Sequence, residues 1–269
     1  MIIAQISDPH IRAGATAQPG DQSAPHLQRA VDHLMQLPGA PDVVIITGDC
    51  ADTGGVAEYE RFRELLRPLT MPVYIIPGNH DDRTNLLASF GGQGATPLDG
   101  FVQYVVDASP VRLIALDTHI PGQGGGYLSA ERLAWLEDRL AEAPDRPTIL
   151  FMHHPPFPTG LAVFDQIGLE NADALGAIVA RHPQIERIVA GHIHSTMQQR
   201  FYGTIAMTCS STAYRLLPDL QRPVGLAAIM EPPVCLLHVW GPASGLITHT
   251  SQIGAHGPLI ELHDGEKWL

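Results

Sequence analysis

Five runs of apolar, largely β-branched residues punctuate this chain, at 1–6, 43–47, 73–76, 148–152 and 185–190. A short polar motif follows each one. In chain order the motifs are Asp8-Pro9-His10, Gly48-Asp49, Gly78-Asn79-His80-Asp81, His153-His154 and Gly191-His192-Ile193-His194. Short apolar runs bounded by turn residues read as buried strands. In sheets built from strand-helix units, ligands gather outside the carboxyl ends of the strands. The pattern therefore demands a fold in which five buried strands deliver Asp, Asn and His side chains to one place.

The intervening sequence supplies the helices. Leu27, Val31, Leu34 and Met35 recur at helical spacing and predict a helix over 26–37, stopped by Pro38 and Gly39. A second helix is expected over 56–66, before Pro68. A strand over 111–116 ends in Asp117 and a Gly-rich loop reaching Gly126. Ser129 is a candidate N-cap, with Glu131 in the first turn of a helix that turns Leu133, Leu136 and Leu140 inward. Asn171 is a second candidate cap, for a helix reaching Arg181. Repeated strand-helix units imply an α/β fold with parallel or mixed sheets covered by helices. After His194 helical periodicity fades. Runs at 204–208, 224–230 and 234–240 read as strands, with Glu231-Pro232-Pro233 as a tight hairpin connection. The expected organisation is a core over 1–200, followed over 201–269 by closing strands and a small C-terminal cap or arm.

Asp8 and His10, two residues apart just past a strand, can both turn toward one ion, and His192 and His194 repeat the device. Asp49 brings two carboxylate oxygens, enough to bridge two cations. Asn79 offers a neutral carbonyl oxygen and His153 another imidazole. Such mixed nitrogen and oxygen donors suit Zn, Fe, Mn or Co better than Ca or Mg. Gly48, Gly78 and Gly191 precede ligand-type residues where the chain needs positive φ or close approach without a Cβ. Singly, each motif has an ordinary explanation as a turn or a packed histidine. All five after strands, in this order, point to a metal centre.

Composition narrows the partners. The formal charge is −12, from 28 Asp and Glu against 16 Lys and Arg, and no basic cluster occurs, which argues against a nucleic-acid groove. No apolar run is long enough to span a bilayer. The first strand begins at Met1 without a basic leader, so a cytoplasmic protein with no membrane partner is expected. The three cysteines are too few and too scattered for a disulfide framework, and Cys50 reads as a small buried hydrophobe beside the site.

The set Asp8-x-His10, Gly48-Asp49-x-x-Asp52, Gly78-Asn79-His80-Asp81, His153 and Gly191-His192-x-His194 resembles the signature of the calcineurin-like metallophosphoesterases. The segments around Asn79 and His153 look like those of its bacterial glycerophosphodiesterase and class III cyclic-nucleotide phosphodiesterase group. The resemblance implies a four-layer α/β/β/α sandwich of two mixed sheets flanked by helices. It also implies two transition-metal ions (Fe, Mn, Zn or Co). One would be held by Asp8, His10, Asp49 and His194, and the other by Asp49, Asn79, His153 and His192, with Asp49 bridging. His80 is implied as a catalytic contact and not a ligand. Asn79, His80, His194 and Tyr214 are implied around the substrate, Tyr214 standing where the group tends to have a histidine.

The reaction expected is hydrolysis of a small phosphodiester by in-line attack of a metal-activated hydroxide, with Asp81 or Asp52 orienting His80 or the ligands. His154 is expected in packing or support, and His119 as a substrate contact. A homo-oligomer formed through the C-terminal arm is also implied. A nuclease of the same fold and a non-catalytic scaffold are the alternatives.

Overall fold

The computed structural model describes residues 1–14, 22–217, 220, 226–229, 233–254, 257–258, 260–263 and 266–268. In chain order its elements are β1 (Ile2–Ile6), α1 (Ser23–Gln36), β2 (Val43–Ile46), α2 (Val56–Leu66), β3 (Val73–Ile75), α3 (Arg83–Phe90), β4 (Tyr104–Val106), β5 (Arg112–Ala115), α4 (Ala130–Ala141) and β6 (Thr148–Phe151). There follow α5 (Ala162–Asp165), α6 (Ala172–Val179), β7 (Ile185–Ala190), β8 (Gln198–Phe201), β9 (Thr204–Thr208), β10 (Arg215–Leu216), β11 (Ala228–Ile229), β12 (Val234–Gly241) and β13 (Gly245–Gln252).

Two mixed sheets result. The first has the order β13-β12-β1-β2-β3 and the second β4-β5-β6-β7-β9-β8. The motif-bearing strands run parallel within each sheet, β1 with β2 and β2 with β3, and β6 with β7. Their carboxyl ends therefore lie together. Antiparallel strands flank them: β12 pairs with β1 and β13 with β12 in the first sheet, and β4 pairs with β5 and β8 with β9 in the second. Strands from beyond residue 200 thus complete both sheets. β10 and β11 form a separate two-stranded ribbon.

Periodicity explains the packing. β1, β2, β5 and β6 are buried on both faces because each has a neighbouring layer on either side, which is why they read as largely apolar runs. Leu27, Val31 and Leu34 of α1 and Tyr59 and Phe62 of α2 share one core with Ile3, Ile45, Leu113 and Phe151. That core runs from the first helix layer through the first sheet to the inner face of the second. Leu136 and Leu140 of α4 and Leu175 of α6 cover the second sheet's other face, against Ile114, Leu150 and Ile188.

Local signals held with small shifts. α1 begins at Ser23 and not at residue 26, since Pro25 is tolerated in a first turn whose amides have no intrahelical partner. Ser129 caps α4 by accepting the Arg132 N–H. Asn171 precedes α6 but does not cap it. Its side chain accepts from the Leu128 N–H at 3.0 Å and donates to the Leu128 carbonyl at 2.7 Å, clamping another loop. Of the strand expected over 224–230, β11 is the part seen, while residues 224–225 and 230, Glu231 and Pro232 lie outside the described residues, as do 15–21 of the first loop.

Candidate metal centre

The five motifs meet where the carboxyl ends of the two sheets face each other. Asp8, His10, Asp49 and His194 form one buried group whose donor atoms all lie within 4.8 Å of one another. Asp49 faces two ways. Its Oδ2 is 3.5 Å from His10 Nε2, and its Oδ1 is 3.5 Å from His153 Nε2. His153 Nε2 lies 3.0 Å from Asn79 Oδ1, and the His153 and His192 rings sit 5.0 Å apart. The first expected ligand set is thus assembled around one oxygen of Asp49, and His153 and Asn79 of the second around the other.

The outer nitrogen of each histidine is held, which aims the inner one. His153 Nδ1 donates to the Thr47 carbonyl at 2.8 Å, His194 Nδ1 to the Tyr214 carbonyl at 3.2 Å, and His192 Nε2 to the Ile167 carbonyl at 3.0 Å. His10 Nδ1 faces Asp52 Oδ1 at 3.5 Å. Such outer partners fix tautomer and ring orientation in metal sites. They leave His10 Nε2 and His194 Nε2 as acceptors confronting each other at 3.1 Å. Two opposed lone pairs repel unless a proton or a cation lies between them, so the donor set fits a transition-metal ion.

The charges agree. Burial, with the repulsion of His153, drives His192 down to about 3, and burial with His10 drives His194 well below its ordinary value. Both therefore present neutral imidazoles. Burial would raise Asp49, but His153, His10 and His80 outweigh it and hold the carboxyl below the usual range. Asp8 goes the other way, pushed up to about 6 by burial and by Asp49. His10 is raised despite its burial, by Asp52, Asp49 and Asp8.

The backbone bends sharply to do this. Asp8, His10, Asp49, His192 and His194 all have positive φ, between 46° and 71°, and they are five of the seven non-glycine residues in that region among the described residues. Such conformations are costly and cluster at functional sites. Gly48 has φ 91°. Gly191 serves by close approach, since a Cβ there would lie 2.1 Å from Ser7 Oγ and 2.7 Å from the Thr47 carbonyl oxygen.

His80 stands at the open side. Its N–H donates to Asp49 Oδ1 at 2.9 Å, its Nδ1 to the Asp52 carbonyl at 2.8 Å, and its ring meets His10 edge-on at 4.7 Å. The residue as a whole is exposed. Tyr214 packs on His194 at 4.4 Å and on His10 at 6.0 Å, and is 36% exposed at the rim.

Asp81 does not touch the His80 ring. Its carboxylate accepts from the Cys50, Ala51 and Gly78 amides at 3.1, 3.0 and 2.8 Å and from the Tyr59 hydroxyl at 2.9 Å, tying the loops after β2 and β3 together. Asp52 supports His10 through its carboxylate and His80 through its carbonyl. His154 lies near His192, but Nε2 is committed to the Gly124 carbonyl and Nδ1 to the Thr118 hydroxyl, leaving no lone pair for an ion. His119 is buried beside the Gly-rich loop, with Nδ1 lacking a partner. Cys50 is a buried thiol, as its position suggested.

Comparison with known proteins now decides the family. The calcineurin-like phosphoesterase family description matches residues 1–196. The chain belongs to the calcineurin-like phosphoesterase family. Within it, the chain is 37% identical over 260 residues to a probable glycerophosphodiester phosphodiesterase of Arcobacter nitrofigilis, covering 94% of each. It is 31% identical over 219 residues to a 3′,5′-cyclic adenosine monophosphate phosphodiesterase of Pseudomonas aeruginosa, covering 81% of this chain and 78% of that one. The fold of this phosphoesterase is shared with a dimetal phosphatase of Danio rerio, at TM-score 0.65 and 16% identity over 94% of this chain and 99% of the other. No helix among the described residues is long and apolar enough to cross a membrane.

Proposed function

We propose that this chain is a metal-dependent phosphodiesterase that hydrolyses small phosphodiesters at a dinuclear centre. One ion is assigned to Asp8, His10, Asp49 and His194, and the other to Asp49, Asn79, His153 and His192. The observation that carries the reading is Asp49, whose two oxygens address separate donor groups 3.5 Å away on opposite sides. Metal ions held by these residues would supply Lewis-acid charge toward the phosphoryl oxygens and lower the pKa of a water.

The chain's own groups do the rest. The His80 amide holds Asp49 Oδ1, so the carboxylate keeps its orientation while charge builds nearby. Since His80 Nδ1–H is committed to the Asp52 carbonyl, Nε2 is the atom that meets the substrate. A proton carried on Nε2 would pass to the departing alkoxide. Asn79 and His194 flank the phosphoryl position, and the Tyr214 hydroxyl borders the alcohol groups. Glycerophosphodiesters and 3′,5′-cyclic nucleotides, on which the relatives' names place their activity, are the substrate classes to test first. The acidic chain, at −12, disfavours polynucleotides.

The test is purified protein loaded with Mn, Co or Zn, its bound metal counted, then offered bis(4-nitrophenyl) phosphate, a glycerophosphodiester, 3′,5′-cyclic AMP, 4-nitrophenyl phosphate and single-stranded DNA. Diesters should be hydrolysed faster than the monoester and DNA should be spared. No turnover of any diester by protein holding two ions would overturn the proposal.

A further inference from the structure

The proposed donor sets share one requirement. Asp8, His10, Asp49 and Asn79 follow strands of the first sheet, and His153, His192 and His194 follow strands of the second. Each set draws on both sheets, so the ions are well placed only if the gap between the sheets is fixed where the ligands emerge. Apolar packing alone leaves some freedom, because side chains slide and repack at small cost.

Gln5 lies at that gap. It is fully buried, near the end of β1 and ahead of the Asp8 motif. Its Nε2 donates to the Ala190 carbonyl at 2.9 Å, across to β7 of the second sheet, and to Thr47 Oγ1 at 3.0 Å, just past β2. The carbonyl of Ala190 can only accept, so the amide orientation is settled. Gln5 Oε1 then receives His238 Nε2–H at 3.1 Å, and His238 Nδ1 receives the Thr248 hydroxyl at 2.9 Å. On the other side Thr47 Oγ1, having accepted from Gln5, donates to Ser7 Oγ at 2.7 Å. The Thr47 carbonyl takes the His153 Nδ1 proton at 2.8 Å, and the His153 carbonyl takes the Gly191 amide at 3.0 Å.

Every donor in this chain of bonds has an acceptor, and its direction is fixed throughout. It touches the residue before Asp8, the residue before Gly48-Asp49, His153 itself and the residue before Gly191-His192. A satisfied buried polar network has one geometry, whereas an apolar contact has several.

We propose that Gln5 is a positioning residue that sets the separation of the two sheets beneath the metal centre, and through it the placement of the two ions relative to each other. The inference rests on the dinuclear reading above. Gln5 touches neither substrate nor metal; it acts through Thr47, Ala190 and the loops they carry.

The experiment compares Gln5→Met, similar in volume but without the amide, with Thr248→Val, which cuts the network at its far end. Each protein is stripped with chelator and titrated with Co(II). The two binding steps, the visible absorption of the loaded protein and the urea midpoint of the stripped protein are followed. Gln5→Met should weaken the second binding step by about tenfold or more, in line with the loss of outer partners at other metal sites, and alter the cobalt spectrum. Thr248→Val should keep both parental. Purely structural damage would lower the urea midpoint in either variant without changing the cobalt spectrum.

Should Gln5→Met fail to fold, Thr47→Val removes the next link with an isosteric side chain, and the same cobalt change is expected. A folded Gln5→Met or Thr47→Val protein with parental cobalt affinities and spectrum would overturn the inference. A parental protein that binds only one cobalt ion would instead overturn the dinuclear reading.

Discussion

Replacing Asp81 by alanine should loosen the protein and its metal centre together. The carboxylate accepts three backbone amides, from Cys50, Ala51 and Gly78, and the Tyr59 hydroxyl. Tyr59 has the Asp82 carbonyl 3.4 Å away as a partial substitute. The three amides keep no acceptor in place. A buried donor stripped of its partner costs about 1–3 kcal/mol, so the low end of that range gives about 3–4 kcal/mol for the three. Relief of a buried charge works against this. Burial and Asp49 already push the Asp81 carboxyl up, so its ionised form is held at a cost.

The expected net loss is about 3 kcal/mol, at the large end for a single substitution. Asp81→Asn keeps one accepting oxygen and should lose about half as much. The assay is urea unfolding of stripped protein, with metal counted on the loaded form, because the bonds join the loops that carry Asp49 and Asn79. An alanine variant that unfolds within about 1 kcal/mol of the parent and still binds two ions would show that Asp81 is not what holds those loops together.

His80→Ala should retain its metal but slow diesters with poor leaving groups by about 10²–10⁴, and activated aryl diesters much less; equal slowing of both would remove leaving-group assistance from the mechanism. Gly191→Ala places a methyl 2.1 Å from Ser7 Oγ and 2.7 Å from both Asp8 Oδ2 and the Thr47 carbonyl oxygen. It should cost about 1–3 kcal/mol or more, read as a lowered thermal midpoint in chelator, and an unchanged midpoint would contradict the close approach of the sheets. Metal affinity should climb from pH 5 to pH 7. Asp8, at about 6, and the raised His10 hold protons in the metal-free protein that a cation must displace, while His192, at about 3, is already neutral. Titration calorimetry in buffers of different ionisation enthalpy counts the protons released, and a flat affinity over that range would refute the assignment of Asp8.

What was legible in the sequence was whatever announced itself locally. The motif strands are buried on both faces, so their apolar runs stand out, and Ile185–Ala190 was bounded correctly at both ends. α3 escaped notice because Leu86 is the one buried residue of its eight, which leaves almost no stripe to read. β13 escaped because it lies at a sheet edge, where Ile247, His249, Thr250 and Gln252 are exposed and the apolar alternation is lost. At the site, the ligand-type residues could be read from their position after strands. Their supports could not, because the partners are the Ile167 and Tyr214 carbonyls, and a carbonyl has no signature in sequence. For Asp81 the sequence left two roles open, orienting His80 or the ligands; its carboxylate accepts the amides of Cys50, Ala51 and Gly78, in the loops that carry Asp49 and Asn79.

The left-handed backbone at Asp8, His10, Asp49, His192 and His194 has a consequence for laboratory evolution. At roughly 1 kcal/mol each, the low end for such conformations, five of them cost about 5 kcal/mol, comparable to the whole net stability of a small domain. Glycine at any of the five would relieve that conformation and delete a proposed metal donor in one step. A library of this chain selected for heat resistance in the presence of chelator should therefore accumulate glycine at these positions, drifting toward a sturdier protein without the site. The same selection run with excess metal should hold them fixed, because there the ions return more stability than the bent backbone gives up.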